Sequence, residues 1–197
     1  MATKHLDLGC GSNPRNPYER NELWGVDINR EALQLANIKL ADMSFEKIPF
    51  EDNHFDSVSA YDFLEHIPRA LASANGKSIR FPFIELMNEI WRVLTPGGLF
   101  YAVTPAYPRQ EAFVDPTHVN IITENTHSYF TEPHLQAKMY GFAGSFKVRR
   151  VEWMRPMYAV YEWEPVKPTL SHRFKKVKNR IKRRNTHFLW EFEAVKP

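Results

Sequence analysis

The sequence predicts a single α/β domain built on a largely parallel sheet, and three observations carry that expectation. Short apolar runs alternate with helix-period segments over the first hundred residues. An apolar run near the start, Leu6-Asp7-Leu8, passes directly into a turn with glycine at Gly9 and Gly11. The 197 residues suit one domain with a substantial core.

The elements follow in order. Leu6–Leu8 is the first strand, and Leu23–Asp27 the second, ending in an acid. Arg30–Leu40 has helical spacing, with Leu33, Ala36 and Leu40 on one face. Phe55–Tyr61 reads as a buried strand. Phe83–Leu94 is an amphipathic helix with Ile84, Met87, Ile90, Trp91 and Leu94 inward, stopped by Thr95-Pro96-Gly97-Gly98. Leu99–Thr104 is the next strand. Strands separated by helices imply right-handed parallel crossovers, with helices on both sheet faces. Residues 105–135 form a long polar connection, and such connections inside a compact domain are usually functional or mobile. Thr126–Tyr140 has the makings of a helix. Phe146–Met154, Tyr158–Glu164 and His187–Val195 read as strands, the last a candidate edge for pairing in a homodimer. Trp153, Trp163 and Trp190 fall on these strands and are expected in the core.

Apolar residues make up 43% and charged residues 25%, which fits an ordinary globular protein. No apolar run is long enough to span a bilayer, and no secretory signal precedes the first strand. The single cysteine, Cys10, excludes an internal disulfide and fits a reducing cytoplasm. The net charge of +3 is unevenly spread: nine Lys and Arg residues lie between Lys167 and Arg184, with no acid among them. Leu170, Phe174, Val177 and Ile181 share helical spacing there, so residues 168–185 read as a basic amphipathic helix inserted in the domain. Its basic face is either solvated or turned to an anionic partner: a nucleotide sugar, a membrane surface or RNA.

The glycine turn carries the first functional signal. Glycine lets backbone N–H groups approach a ligand closely. An ionised Asp7 inside an apolar strand is costly unless a cation or hydrogen bonds meet it. A nucleotide-like ligand with a positive group satisfies both facts. The dehydrogenase fingerprint requires a third glycine where Pro14 stands, which argues against a nicotinamide cofactor. The alternative readings are structural: Asp7 as an internal acceptor and Asp27 as a helix N-cap.

Four motifs in order over residues 5–105 make the chain resemble a class I S-adenosylmethionine (SAM)-dependent methyltransferase of the small type-11 group. They are LDLGCGSNP, WGVDIN, LADMSFEKIPFEDNHFDSV, and FLEHI followed by EIWRVLTPGGLFYAVTP. The resemblance implies a Rossmann-like doubly wound sheet of seven strands with an antiparallel final strand. It implies SAM at the carboxyl ends of the strands, held around Asp7, Gly9 and Gly11. Asp27 would take the ribose hydroxyls, Asp42 the adenine amino group and Met43 the ring through its N–H. Ile28 would pack on the adenine face, and the Tyr61 carbonyl would receive the SAM amino group.

The acceptor is read from weaker signals. A sugar hydroxyl, with its high pKa, needs a general base or a metal. Two places offer a base: His66 after the fourth strand, and His118, three residues after Asp115, a spacing that lets the carboxylate orient the imidazole. Asp115, His118, Glu124, His127 and His134 also read as an open oxygen-rich cation site or as a polar lid; their spacing matches no closed zinc pattern, so no metal is assigned. Tyr107 and Arg109 suit a polar or anionic acceptor. The DPTHV stretch resembles methyltransferases encoded with bacterial surface-polysaccharide genes, which implies a sugar or glycan acceptor. The alternatives are a small-molecule or RNA methyltransferase, or a SAM-binding module that needs a partner.

Overall fold

The computed structural model describes residues 2–31, 37–73, 76–155 and 185–197. Seven strands form one sheet: β1 (Lys4–Leu8), β2 (Glu22–Asp27), β3 (Ile38–Leu40), β4 (Phe55–Tyr61), β5 (Leu94–Pro105), β6 (Phe146–Met154) and β7 (His187–Ala194). Their order across the sheet is β3-β2-β1-β4-β5-β7-β6. β3, β2, β1, β4 and β5 pair in parallel, and β7 runs antiparallel to both its neighbours. The sheet is therefore the mostly parallel, seven-stranded architecture expected, with one antiparallel strand.

Strand alternation sorts side chains to two different faces. Leu6, Leu8, Val58, Ala60, Phe100, Ala102, Trp190 and Phe192 turn to one face and form the main core. Helix α1 (Pro82–Val93) covers that face, burying Phe83, Leu86, Met87, Ile90 and Val93. Ile84 and Trp91, expected inward, lie at the margin of this stripe. Full burial of an aliphatic or aromatic side chain is worth about 1.5–3 kcal/mol, so this face dominates the hydrophobic stabilisation. The other face is smaller in apolar content, with Tyr61, Tyr101, Val103 and Leu189 backed by Tyr18. Residues 9–21 run along that side as turns, where Pro14 and Pro17 deny the backbone two amide donors.

Several expectations are corrected. Arg30–Leu40 does not end as a helix: Ile38–Leu40 is β3, paired with β2, and Leu40 sits at the sheet edge. The rest of that predicted helix lies largely outside the described residues. Thr95–Gly98 does not separate α1 from a later strand. It is absorbed as an irregularity in β5, between the Phe55↔Leu94 and Ser57↔Leu99 pairs, with Gly97 at φ 74°. Thr126–Tyr140 is not one helix but two 3-10 turns, Thr126–Tyr129 and Gln136–Tyr140. Pro133 interrupts the segment, since it lacks an N–H and disfavours helical backbone before it. His187–Val195 is no edge strand: β7 lies between β5 and β6, where both its backbone sides are paired. Trp190 is fully buried and Trp153 packs on the core, as expected. The predicted strand Tyr158–Glu164 and the basic helix lie outside the described residues.

Candidate functional site

In an open parallel sheet the carboxyl ends of the strands define the ligand crevice. β1 ends at the glycine turn, where Gly9 and Gly11 both take positive φ, 65° and 54°. The two differ in surroundings. A Cβ at Gly9 would meet the Phe63 ring at 2.5 Å, whereas one at Gly11 would meet nothing within 4 Å. Gly9 is thus a packing requirement, and Gly11 faces open space at the crevice. The Gly11 N–H donates to Asp27 Oδ2 at 2.7 Å, and Asn29 N–H donates to Asp27 Oδ1 at 2.8 Å. This fixes the half-buried carboxylate at the end of β2 and leaves lone pairs for further donors. Ile28, 66% exposed, presents an apolar surface beside it. Asp42 caps its own turn through Ser44 N–H, and Met43 is buried beneath.

Asp7 is fully buried, and its charge is met from within the protein. Arg15 N–H donates to Oδ2 at 2.8 Å, Ser59 Oγ to Oδ1 at 2.6 Å, and Arg15 Nε lies 3.5 Å from Oδ2. The cation that the sequence demanded is therefore Arg15, whose guanidinium also stacks 4.2 Å over the Tyr61 ring. Burial still raises the Asp7 carboxyl to about 6, against the lowering pull of Arg15.

The chain continues inward. Ser59 Oγ also meets His5 Nε2 at 2.8 Å, and Ser57 Oγ meets His5 Nδ1 at 2.7 Å and Arg20 Nε at 3.3 Å. Burial and the nearby Arg20 push the His5 imidazole down to about 3, so it is neutral at pH 7. With Asp7 ionised, Ser59 donates to Asp7 and accepts from Nε2–H, and Ser57 donates to Nδ1 and accepts from Arg20. Each donor has one acceptor and no group is left over. Cys10 is a bystander: burial, first among its causes, pushes its thiol up to about 12.

A second cluster stands after β4. The backbone carbonyl of Glu65 accepts both Val119 and Asn120 N–H at 2.9 Å, and Asn120 Nδ2 donates to the Leu64 carbonyl at 3.1 Å. These bonds zip the 3-10 turn Leu64–His66 to residues 117–120 and bring His66 against His118, ring centroids 4.9 Å apart. Asp115 does not orient His118 directly, as the spacing suggested: its carboxylate stands 4.0 Å from His118 Nε2. It accepts instead from Thr117 Oγ1 at 2.7 Å and Thr117 N–H at 2.8 Å, and Thr117 Oγ1 lies 3.0 Å from His66 Nδ1. A hydroxyl has one proton, and here the carboxylate takes it. Thr117 Oγ1 can then only accept from His66, which places the proton on Nδ1 and a lone pair on Nε2. His118 Nδ1 faces the Ala112 carbonyl at 3.3 Å, which likewise only accepts. In its neutral form each ring therefore carries its lone pair on Nε2.

Sequence reasoning missed Glu65, although its position in FLEHI beside His66 was in view. The side chain is 1% exposed; Oε2 accepts from Thr104 Oγ1 at 2.9 Å, while Oε1 has no hydrogen-bond partner. Burial, chiefly, raises this carboxyl to about 8. Glu124, His127 and His134 are not gathered with Asp115 and His118. Among the described residues the metal-sized grouping is Glu65, His66 and His118, with one donor atom of each within 4.8 Å of the others. Arg109 is committed elsewhere: Nε donates to the Asn185 carbonyl at 3.0 Å, and the guanidinium lies over Trp153. Tyr107 is exposed on the connection after β5, residues 106–120, called the cap below, and meets Phe113 edge-on.

A cleft of about 780 Å³ lies on the far side of Arg69 from this cluster, and Glu65, His66 and His118 are not among its walls. Arg69, Phe81, Tyr129, Gln136, Asn125 and Tyr140 are among its walls. Arg69 is held by Asn120 Oδ1 at 2.7 Å and by the Ile121 carbonyl. Neither Tyr107 nor Arg109 lines it.

The comparisons agree with this geometry. A family model described as a methyltransferase domain matches residues 6–102, just under half of the chain. The demethylmenaquinone methyltransferase of Staphylococcus saprophyticus is 28% identical over 125 residues, covering 56% of this chain and 48% of the relative. That of Staphylococcus aureus is 24% identical over 173 residues, covering 76% and 65%. The chain thus spans about half to two thirds of the length of the curated relatives it matches. Among solved structures, a chain of the complex between the Haloferax volcanii Trm112 methyltransferase activator and a methyltransferase aligns with TM-score 0.59, at 16% identity, covering 100% of this chain and 84% of that one. A SAM-dependent methyltransferase from Archaeoglobus fulgidus gives 0.55, at 14% identity, covering 98% and 86%. The residues at the strand ends fit this cofactor class, since Gly11 opens onto free space beside a carboxylate held by two backbone donors. Matched domain and shared fold together support a class I SAM-dependent methyltransferase, with S-adenosylmethionine as the cofactor they imply.

Proposed function

We propose that the protein methylates a hydroxyl of a polar small molecule, a sugar or glycan intermediate, with His118 as the general base. SAM supplies a methyl group already activated on a sulfonium, so the protein's task is alignment, exclusion of water and removal of the acceptor proton. Asp27 accepts from the ribose diol, Ile28 packs on the adenine, and Asp42 and the Met43 N–H address the ring edge. Gly9 and Gly11 shape the turn under the ligand, the Tyr61 carbonyl takes the amino group, and Asp7 with Arg15 sets the local charge from below. On the acceptor side the His118 Nε2 lone pair receives the hydroxyl proton, and Asp115 stabilises the cation formed. His66, oriented through Thr117, stands beside it as the second acceptor of a hydrogen bond. Tyr107 contributes from the cap, while Arg109 holds that cap against β6.

The observation that carries this reading is the pair of imidazoles whose hydrogen bonds leave both Nε2 lone pairs to face a ligand. The aromatic and amide-bearing walls of the adjacent cleft support a sugar, which uses apolar ring faces and hydroxyl edges together. The relatives' names favour a quinone as the rival acceptor. Incubation with labelled SAM and a panel of nucleotide sugars, glycan fragments, quinols and RNA decides between them. Label is expected as an O-methyl group on a sugar. Label on a quinone ring carbon or on RNA, with none on sugars, overturns the sugar reading.

A further inference from the structure

We propose that Glu65, His66 and His118 form a binding site for one first-row divalent transition-metal ion. The three donors lie within 4.8 Å of one another. They come from two segments locked together by the double acceptance at the Glu65 carbonyl. The independent observation is Glu65 Oε1, a carboxylate oxygen with no hydrogen-bond partner on a side chain 1% exposed. A buried, unpartnered carboxylate oxygen is costly unless a cation or donor meets it.

No internal donor is aimed there from the imidazoles. The hydrogen bonds made at Nδ1 leave Nε2 of each ring, when neutral, as an acceptor, so both imidazoles offer the cluster a lone pair. Asp62 and Asp115 add negative charge nearby, as their influence on Glu65 attests. The tie from His66 Nδ1 through Thr117 to Asp115 also has a recurrent counterpart in metal sites. There, the second ring nitrogen of a ligating histidine is held by a carboxylate, a carbonyl or water, which fixes ring and tautomer.

Two imidazoles and one carboxylate favour ions such as Zn²⁺, Co²⁺ or Mn²⁺ over Mg²⁺, which prefers oxygen and water. Ligands about 2.1 Å from an ion sit roughly 3–3.5 Å apart, so the donors close by about 1.5 Å on binding. Both imidazoles are partly exposed, the His118 side chain by 10%. Three protein ligands leave coordination positions open for water or an acceptor. The role of the ion rests on the methyl-transfer reading: an acceptor hydroxyl drawn onto it ionises more readily, its proton passing to solvent in place of direct transfer to Nε2. The binding claim does not rest on that reading.

Cobalt titration of the chelator-stripped full chain tests the site, with the visible d–d absorption of Co²⁺ as the readout. One Co²⁺ per chain is expected, with affinity falling as pH drops and protons compete for the imidazoles. His66→Ala and His118→Ala are each expected to weaken binding about 100-fold or more, and Thr117→Ala about 10-fold. His134→Ala, an exposed histidine outside the cluster, should leave it unchanged. Wild-type titration indistinguishable from that of the His66→Ala/His118→Ala double variant overturns the site. Mg²⁺ displacing Co²⁺ at equal concentration overturns the choice of ion class. SAM calorimetry on the same samples separates the two readings. SAM binding without Co²⁺ binding removes the metal site alone. Co²⁺ binding without SAM binding leaves the site standing and removes the methyl-transfer reading.

Discussion

The network beneath β1 and the cluster after β4 are both rich in buried polar atoms, yet they are built on opposite terms. From Arg20 through Ser57, His5 and Ser59 to Asp7, each link of the chain pairs a donor with an acceptor. Arg15 closes the end. At Glu65, His66 and His118, one carboxyl oxygen is left without a hydrogen-bond partner, and one donor atom of each residue lies within 4.8 Å of the others. Buried polar groups in folded proteins are normally satisfied internally. The first network ties β1 and β4 together beneath the glycine turn, and the second is where the proposed base and metal site lie.

The sharpest way to break this comparison is to remove a lone pair from the unsatisfied side. His118→Ala is expected to lower turnover about 10²–10⁴-fold, the usual share of a general base. SAM affinity should stay within about twofold, because no hydrogen bond joins His118 to the glycine turn or Asp27. Single-turnover kinetics with saturating SAM, alongside calorimetry, checks both halves. Unchanged turnover removes His118 from the chemistry; a parallel collapse of SAM affinity shows that the two regions are not separate.

The glycines at the turn sharpen the same distinction on a smaller scale. Gly9 and Gly11 share positive φ, so each alanine variant carries a backbone cost of about 1–2 kcal/mol. Only Gly9→Ala adds a collision, with Phe63 at 2.5 Å. Urea denaturation should therefore place Gly9→Ala below Gly11→Ala in stability by a further 1–3 kcal/mol or so, the usual cost of overpacking. SAM affinity should reverse the emphasis, since the Gly11 methyl points into the crevice and weakens binding in a protein that still folds. Equal stabilities would mean that Phe63 swings away freely, and equal SAM affinity for Gly11→Ala and wild type would move the ligand away from the turn.

Legibility from sequence followed locality. The strand-turn-acid motif at Leu6–Asp27 was readable because its parts are adjacent in chain and their conformations are set by glycine and alternation. Ile38–Leu40 was misread because a short strand at helical spacing is decided by its pairing with β2, which is not written locally. His187–Val195 was read as a strand correctly but placed at an edge wrongly, since order across a sheet depends on contacts nearly ninety residues away, with Leu99–Pro105. In the acceptor region, His66 and His118 were both visible as candidate bases. What no spacing rule supplied was the zipper at the Glu65 carbonyl, or the hydroxyl of Thr117 standing between Asp115 and the wrong histidine. Arg15 as the partner of Asp7 was hidden for the same reason, lying across a turn with no helical or strand register to project it.

The smallest effect tests the satisfied side through pH. Asp7 is raised to about 6 by burial, above the ordinary carboxylate value of an unfolded chain. Between those two values the folded state holds more protons at this site than the unfolded state. Stability contributed by Asp7 therefore falls as pH rises through that window and is flat above it. His5, depressed to about 3, acts in the opposite sense, because the unfolded chain gains a proton first as pH falls from about 6.5. The wild-type curve mixes the two, so the informative quantity is its difference from Asp7→Asn. That variant carries a constant cost at all pH values, since an amide in place of the carboxylate reverses the Ser59–His5–Ser57 proton order and meets a second donor at Arg20. Urea midpoints at pH 4.5 and 7 should show wild type losing part of its advantage over Asp7→Asn as pH rises. A constant difference across that range would mean that Asp7 stays ionised throughout, held down by Arg15 and its two hydrogen bonds more strongly than burial pushes it up.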